Sequence, residues 1–475
     1  MPTQNVGSFN PIGLGFALLM GVLLLVIPRR YALVPVIALV CYMPMTHRLI
    51  VAGLNFPMIR ILALFAFARI LLRNEVGKIK LNAIDKALLW WALSAVVMHT
   101  LLWQTWGEFI NRLGYIYDAM GFYFVFRSLI VDWDDITRVF KITAPFVVPL
   151  ALAMLVEHVT AHNLFIPLGG IEPEVRDGIA RARGPFVHPD LSGSFGATLL
   201  PFFVALWWLG DRTRGFMGIA SSIIITFASG ASGPLMSFLA AVLALSMWPL
   251  RKRMRQVRWG AVLMLIGLQM VMKVPVWWAI MHISIHAGGD SYHRSYIIDR
   301  TMANFRDWWL VGTKDTEAWG HGLHDVTNEF IFQGVEGGLL TMLLFILIIK
   351  RCFGAVGRSL RALGPSDQTT VQFALWALGS ALFAHVVTFF GVSYFDQSFV
   401  NLYMLLAMIS TASCLFVVSK SSDSAAIPAG FEGRVGNALG GGTLRRNANA
   451  GQGSSQGESK GLAAIAREPR WTPYR

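Results

Sequence analysis

Residues 324–351, HDVTNEFIFQGVEGGLLTMLLFILIIKR, set His324, Asp325, Asn328 and Glu336 at the mouth of an apolar run that ends in Lys350 and Arg351. Polar groups at the edge of a membrane span are costly to keep there and generally have a function. His324 suits a general base, since an unperturbed imidazole titrates near ~6.5. Asn328 and Glu336 are two helical turns apart on nearly the same face, so both can serve one cavity, and Gly337–Gly338 then permits close helix packing. A buried hydrogen-bonding acid is the competing account of Glu336. His321-x-x-His324-Asp325 has no third ligand at metal spacing, so no metal is expected.

Three further stretches carry candidate chemistry. In RARGPFVHPD, residues 181–190, Arg181, Arg183 and His188 directly precede an apolar run. Guanidinium forks at the water–lipid boundary match the oxygens of a phosphorylated head group; plain interfacial anchoring is the alternative. Residues 291–310 read as an amphipathic helix with Ile298, Met302, Phe305 and Trp309 on one stripe. Arg294 falls on that stripe, while Arg300 and Asp307 fall opposite. An arginine among apolar residues needs an anion or a carboxylate, which makes Arg294 a second diphosphate contact unless it snorkels to lipid. TFASGASGP, residues 226–234, is a tight reversal whose serines and amides can line an anion pocket or simply turn the chain.

The elements that must position these groups follow from composition. The chain has 475 residues, 55% hydrophobic and only 14% charged, against about 25% charged in soluble proteins. Apolar runs near the ~20-residue bilayer-crossing length recur throughout. The expectation is an all-α polytopic transmembrane bundle of about 12–13 spans, with a large outer loop containing short amphipathic helices. The spans fall near 11–28, 31–46, 56–72, 84–103, 112–130, 137–158, 186–209, 215–229, 232–250, 259–278, 329–349, 371–391 and 398–418.

The net charge of +13 is concentrated at Arg29–Arg30, Arg69–Lys80, Arg251–Arg258 and Lys350–Arg361, beside apolar runs. That is the loop bias of an inserted protein, not the basic face of a nucleic-acid binder, and no nucleic acid is expected as a partner. Threading these loops inward puts the amino terminus outside, the carboxyl terminus inside, and long outer loops at about 159–185 and 279–328. Trp277–Trp278 and Trp308–Trp309 suit the headgroup layer. All eleven histidines fall in outer loops or outer halves of spans. Cys41, Cys352 and Cys414 show no paired spacing. Residues 1–418 form the membrane domain, and 419–475, rich in Ser, Gly and Asn, read as a disordered basic cytoplasmic tail.

RARGPFVHPD before a span, a small-residue reversal, and a late outer loop ending in H-D-x-x-N-(x)7-E-G-G-L together resemble the O-antigen ligase and polymerase superfamily of bacterial membrane glycosyltransferases, over roughly residues 180–350. The resemblance implies metal-independent, inverting glycosyl transfer on the periplasmic face of the inner membrane, without a cofactor. The donor would be an oligosaccharide on undecaprenyl diphosphate, and the acceptor a hydroxyl of a glycan or lipid-linked glycan. Membrane lipids and chain-length or export proteins are the other partners it suggests. Carried onto this chain, Arg183 and Arg294, with Arg181 and His188, would hold the diphosphate. His324 would orient or deprotonate the acceptor, with Asn328 and Glu336 in support. The family's usual His-Pro-Asn is His188-Pro189-Asp190 here, Thr327 stands where a histidine commonly precedes the loop asparagine, and Ser229-Gly230 replaces the usual Ser-Arg. A transporter or flippase of lipid-linked glycans is the competing reading; it calls for charges deep in the membrane.

Overall fold

A chain this apolar must satisfy its backbone polar groups internally, and helices do so within each segment. The computed structural model describes residues 10–422 apart from 47, 52–53, 76–78, 177, 279–289 and 364–368. Among the described residues it is an all-α bundle of α1 (Pro11–Val26), α2 (Leu33–Tyr42), α3 (Met58–Leu72), α4 (Ala83–Trp103), α5 (Trp106–Leu129), α6 (Trp133–Thr160), α7 (Pro189–Trp208), α8 (Arg212–Ala228), α9 (Ser232–Ser246), α10 (Met254–Val271), α11 (Asp290–Ala303), α12 (Phe305–Trp308), α13 (Glu329–Ala362), α14 (Thr369–Phe389) and α15 (Ser398–Ser422). The chain divides after Ile427, and the second unit lies outside the described residues. So does the expected tail, except that α15 runs to Ser422, a turn past its expected start at Ser419.

Thirteen helices fall on the expected spans, and this is a multi-pass membrane protein. By length and composition six of them (α4, α6, α7, α13, α14 and α15) can cross a bilayer, or up to seven if Ser232–Ser246 and Trp248–Val271, bent by 72°, count as one. That is fewer than 12–13 for a physical reason. The ten residues of α2 cover only about 15 Å. α5 is long enough but carries Glu108, Arg112, Asp118 and Arg127. Two short hairpins were not anticipated: β1 (Arg48–Val51) with β2 (Leu54–Pro57), and β3 (Glu174–Arg176) with β4 (Ile179–Arg181).

Side chains cap the helices that frame the bundle. Asn82 and Asp85 form a capping box on α4, and Asp132 caps α6. The centre is aromatic, with Phe122, Phe126, Phe140, Phe202 and Phe203 fully buried and Phe140 stacked on Phe202 at 4.8 Å. At one end of the bundle, cations close the turns. Arg69 donates to the Leu24 and Ile27 carbonyls and to Glu75, and Arg29 pairs with Asp135 at 3.1 Å. Asp85 there gathers Tyr123, Arg127 and Ser410. The starts of α7, α9 and α13 lie at the other end.

Two elements differ from the sequence reading in ways that matter for the site. In α11 the buried face is Ser291, Arg294, Ser295, Ile297 and Thr301, whereas Met302, Phe305 and Trp309 are exposed. Met302 already faces outward within α11, and beyond it the helix breaks at Asn304, so the extrapolated stripe is off register before the break and lost after it. Trp308 is not a headgroup anchor either: it is buried, and its indole N–H donates to the Thr301 carbonyl at 2.9 Å.

α13 is not one straight helix. Gly337 (φ −154°, ψ 15°) and Gly338 (φ 72°, ψ 177°) break it. Phe330 and Phe345 have ring centroids 5.9 Å apart, although a straight helix would separate them by about 22 Å along its axis. Gln333 bonds the Trp91 indole at 3.0 Å, and Phe345 packs on the same ring. The 329–336 segment therefore folds back along the descending helix. The outer loop satisfies the backbone groups freed at the break: Thr313 N donates to Val335 O at 2.9 Å, and Leu339 N to Trp309 O at 2.8 Å. The glycine pair thus makes a reversal, not the close helix packing expected of it.

Candidate functional site

Strand β4 delivers Arg181, and the next amide, Ala182 N, bonds the Ala228 carbonyl at 3.0 Å, which pins the strand to the end of α8. His188 caps α7, its Nδ1 accepting the Asp190 amide N–H at 3.2 Å. α9 starts after Ala231 with no side-chain cap, so its first-turn amides stay open to an anion. Arg294 reaches the same place from α11. A Cβ at Gly233 would lie 3.0 Å from Arg294 Nη2, and one at Gly391 would lie 3.3 Å from its Cζ. Both glycines are therefore the floor on which the guanidinium lies.

These groups surround Asp190. Its carboxylate is 3.6 Å from Arg181 Nη2, 3.9 Å from Arg294 Nη2 and 3.6 Å from His188 Nδ1. Charge-assisted hydrogen bonds run at about 2.7–2.9 Å, so the cations ring the carboxylate without grasping it. Arg181 Nε and Asp190 Oδ1 are buried and have no hydrogen-bond partner among the described residues. The His188–Asp190 contact is not a salt bridge, because Nδ1 already accepts an amide proton. Arg181 Nη1 also donates to the more exposed Glu174 at 3.3 Å, so two carboxylates face the two guanidiniums, and the positive potential left for a phosphate-bearing ligand comes from the two helix amino termini.

Arg183 does not join that ring. Its amide bonds Glu157, its Nη1 donates to the Val187 carbonyl at 3.1 Å, and it braces its own loop. Burial lowers its pKa, while the nearby Glu157 acts to raise it.

Sequence reading missed the 390–397 turn. Asp396 accepts the Val187 amide at 3.2 Å, and Gln397 donates to the Pro185 carbonyl at 3.1 Å, so the turn holds the 181–190 loop. Burial pushes the Asp396 carboxyl up to about 6 against these amide bonds. Tyr394 N donates to Glu329, whose other oxygen accepts from Gln333. A lone acid in a short turn without basic residues was the available signal.

The late loop is divided in role. Asn328 is buried and caps α13, accepting the Ile331 amide at 3.2 Å, so it does not share a cavity with Glu336. Glu336 lies at the far end of the folded-back segment, just before the break, beside His99 at 3.1 Å and Arg112 at 3.8 Å. His324 is exposed. Its neighbour Asp325 accepts at its carbonyl from His293, next to Arg294 on α11, at 3.3 Å. His99 and Arg112 were also missed; a cation inside an apolar run was the signal for them. The structure thus brings together Arg181, His188 and Arg294, sets His324 on the segment alongside, and separates Arg183, Asn328 and Glu336. His282 and His286 lie outside the described residues. Ser229 in the reversal donates to the Thr226 carbonyl at 2.7 Å and is a turn residue. No group of three or more His, Cys, Asp or Glu among the described residues is arranged to hold a metal ion.

No protein-family model and no curated protein matches this chain.

Proposed function

We propose that this protein is a membrane glycosyltransferase that joins an undecaprenyl-diphosphate-linked oligosaccharide to a sugar hydroxyl in surface polysaccharide assembly, as a polymerase or a ligase. It would act from the bacterial inner membrane with its site on the periplasmic side. The observation that carries the reading is the ring of Arg181, Arg294 and His188 at the amino termini of α7 and α9. In this reading Arg181 and Arg294 hold the diphosphate, and Arg183 positions their loop. The acceptor oxygen attacks the anomeric carbon from the face opposite the diphosphate. The carbon–oxygen bond to the diphosphate breaks, its electron pair leaves with the phosphate, and the hydroxyl proton passes to His324. A diphosphate leaves readily, so cations and orientation supply most of the acceleration and no metal is required.

The test is purified protein with a lipid-diphosphate oligosaccharide, in the absence of nucleotide and metal. A new glycosidic bond is expected, with turnover lost in Arg294→Ala and Arg181→Ala. Undiminished turnover in both would remove this site. A partly buried ion pair within the bundle, Arg60 with Asp118, is the observation that favours a flippase instead. Lipid-linked glycan moved across vesicles without any new bond would decide for that second reading.

A further inference from the structure

A second polar cluster lies where α4 and α5 meet the fold-back of α13. His99 has Nδ1 at 3.1 Å from Glu336 and Nε2 at 3.7 Å from Glu108. Arg112 has Nη1 at 3.8 Å from Glu336, and its Nε donates to the Ala95 carbonyl at 3.3 Å. The Trp103 ring packs against His99 at 6.1 Å. Arg112 is only 4% exposed, yet its Nη2 and the Trp103 Nε1 have no hydrogen-bond partner among the described residues. A buried donor left unmade costs about 1–3 kcal/mol, so two at one place need an account.

The acceptors beside them are open: the Glu336 side chain is 23% exposed and that of Glu108 38%. Arg112 thus stands next to a carboxylate that can still accept, and the Trp103 ring packs on the histidine that holds that carboxylate. A plain anion would satisfy Arg112 and Trp103 but meet the charge of Glu336 and Glu108. A metal cation would do the reverse. A ligand with donors and acceptors on adjacent atoms satisfies both sets, and vicinal hydroxyls are that arrangement. Trp106, exposed at the start of α5 and 5.4 Å from Phe109, adds an aromatic rim for the apolar face of a pyranose ring.

We propose that Glu336, His99, Arg112 and Trp103 form a saccharide-binding subsite, distinct from the ring around Asp190. Resting on the transferase reading, its occupant is a sugar of the glycan being joined; without that reading it remains a saccharide site. Glu336 accepts hydrogen bonds from sugar hydroxyls, Arg112 Nη2 and Trp103 Nε1 donate to hydroxyl oxygens, and His99 holds Glu336 in place. The fold-back of α13 is what brings Glu336 to α4 and α5.

Saturation-transfer NMR on the full chain in lipid nanodiscs tests this with three trisaccharides: one neutral, one N-acetylated and one ending in a uronate. Transfer to at least one is expected, with affinity at least tenfold weaker in Glu336→Gln and in Trp103→Phe. The second variant keeps an aromatic ring at the position while removing the indole N–H, so it decides the matter if the first fails to fold. No transfer to any of the three, or unchanged affinity in Trp103→Phe, overturns the subsite. Saccharide binding without glycosyl transfer in the lipid-diphosphate assay would overturn the transferase reading and leave the subsite standing.

Discussion

Asp190→Asn is the substitution for which charge and geometry give opposing, separable effects. The carboxylate stands 3.6–3.9 Å from Arg181, His188 and Arg294. Arg181 also pairs with Glu174 at 3.3 Å, so the substitution leaves Arg294 unopposed and Arg181 with Glu174 alone. A unit charge on a bound diphosphate at roughly 5 Å from residue 190 interacts with it by about 3 kcal/mol at an effective dielectric constant near 20. Partial opening to solvent takes away at least half of this, leaving about 1.4 kcal/mol, or tenfold in affinity. The capping bond to His188 Nδ1 is donated by the main-chain N–H of residue 190 and survives. Without ligand the variant should be less stable, because the buried Arg294 loses its carboxylate, Arg181 keeps only Glu174, and α7 loses an acid in its first turn, worth about 0.5 kcal/mol. Thermal unfolding in a series of pyrophosphate concentrations separates the terms. Ligand stabilisation grows as the logarithm of concentration over the dissociation constant, so saturating pyrophosphate should recover about 1.4 kcal/mol more in the variant than in the parent. A smaller pyrophosphate response in Asp190→Asn would show that anions do not bind between these cations.

Three further outcomes are expected. Gly338→Ala puts a methyl against the Leu310 carbonyl at φ +72°, and the strain and overlap should cost about 3 kcal/mol; an unchanged denaturant midpoint would mean that α13 does not reverse there. Asp396, with its folded pKa raised from 3.8 to about 6, holds its proton more tightly folded than unfolded, so it favours the fold below about pH 4 and that contribution, about 3 kcal/mol, is lost as pH rises through 6. Asp396→Asn should flatten the stability slope between pH 4 and 6, and a slope identical to the parent's would refute the assignment. His324→Ala, at an exposed position, should leave unfolding unchanged and lower turnover by about 10²–10⁴-fold at saturating substrate; a change in KM alone would make it a binding residue.

The bundle was legible because hydrophobic runs near bilayer length are a local property, and thirteen helices fall on those runs. Crossing is not local in the same way. α1 and α2 are apolar yet short, and whether they cross depends on what packs around them. The register error in α11 has a similar cause. A periodic stripe was extended through Asn304, where the helix stops, and the four-residue α12 starts with a new phase. For α13 the pattern HDVTNEFIFQGVEGGLL reads as one amphipathic helix, because a pattern carries no information about direction reversal. Only the φ of Gly338 and the carbonyl of Leu310 against it reveal the turn.

The same distinction explains which site residues could be read. Arg181, His188 and Arg294 were nominated from their own neighbourhoods, since a cation beside an apolar run needs a partner wherever it sits. Their common partner, Asp190, lies inside one of the quoted motifs but could not be assigned from it. The approach of Arg294 depends on Gly233 and Gly391, which lie 61 residues before it and 97 residues after it. Arg183 shows the converse. Two arginines spaced two apart on an extended strand should face the same way, yet the chain leaves β4 after Arg181. Arg183 then turns back to the Val187 carbonyl. A cation's need for an anion is thus written locally, while the anion it receives is set by glycines that let distant backbone close in. In this protein the Arg294 guanidinium lies against Gly233 and Gly391, the Arg181 stem lies against Gly230 with its head shared between Glu174 and Asp190, and Arg183 is bound to its own loop.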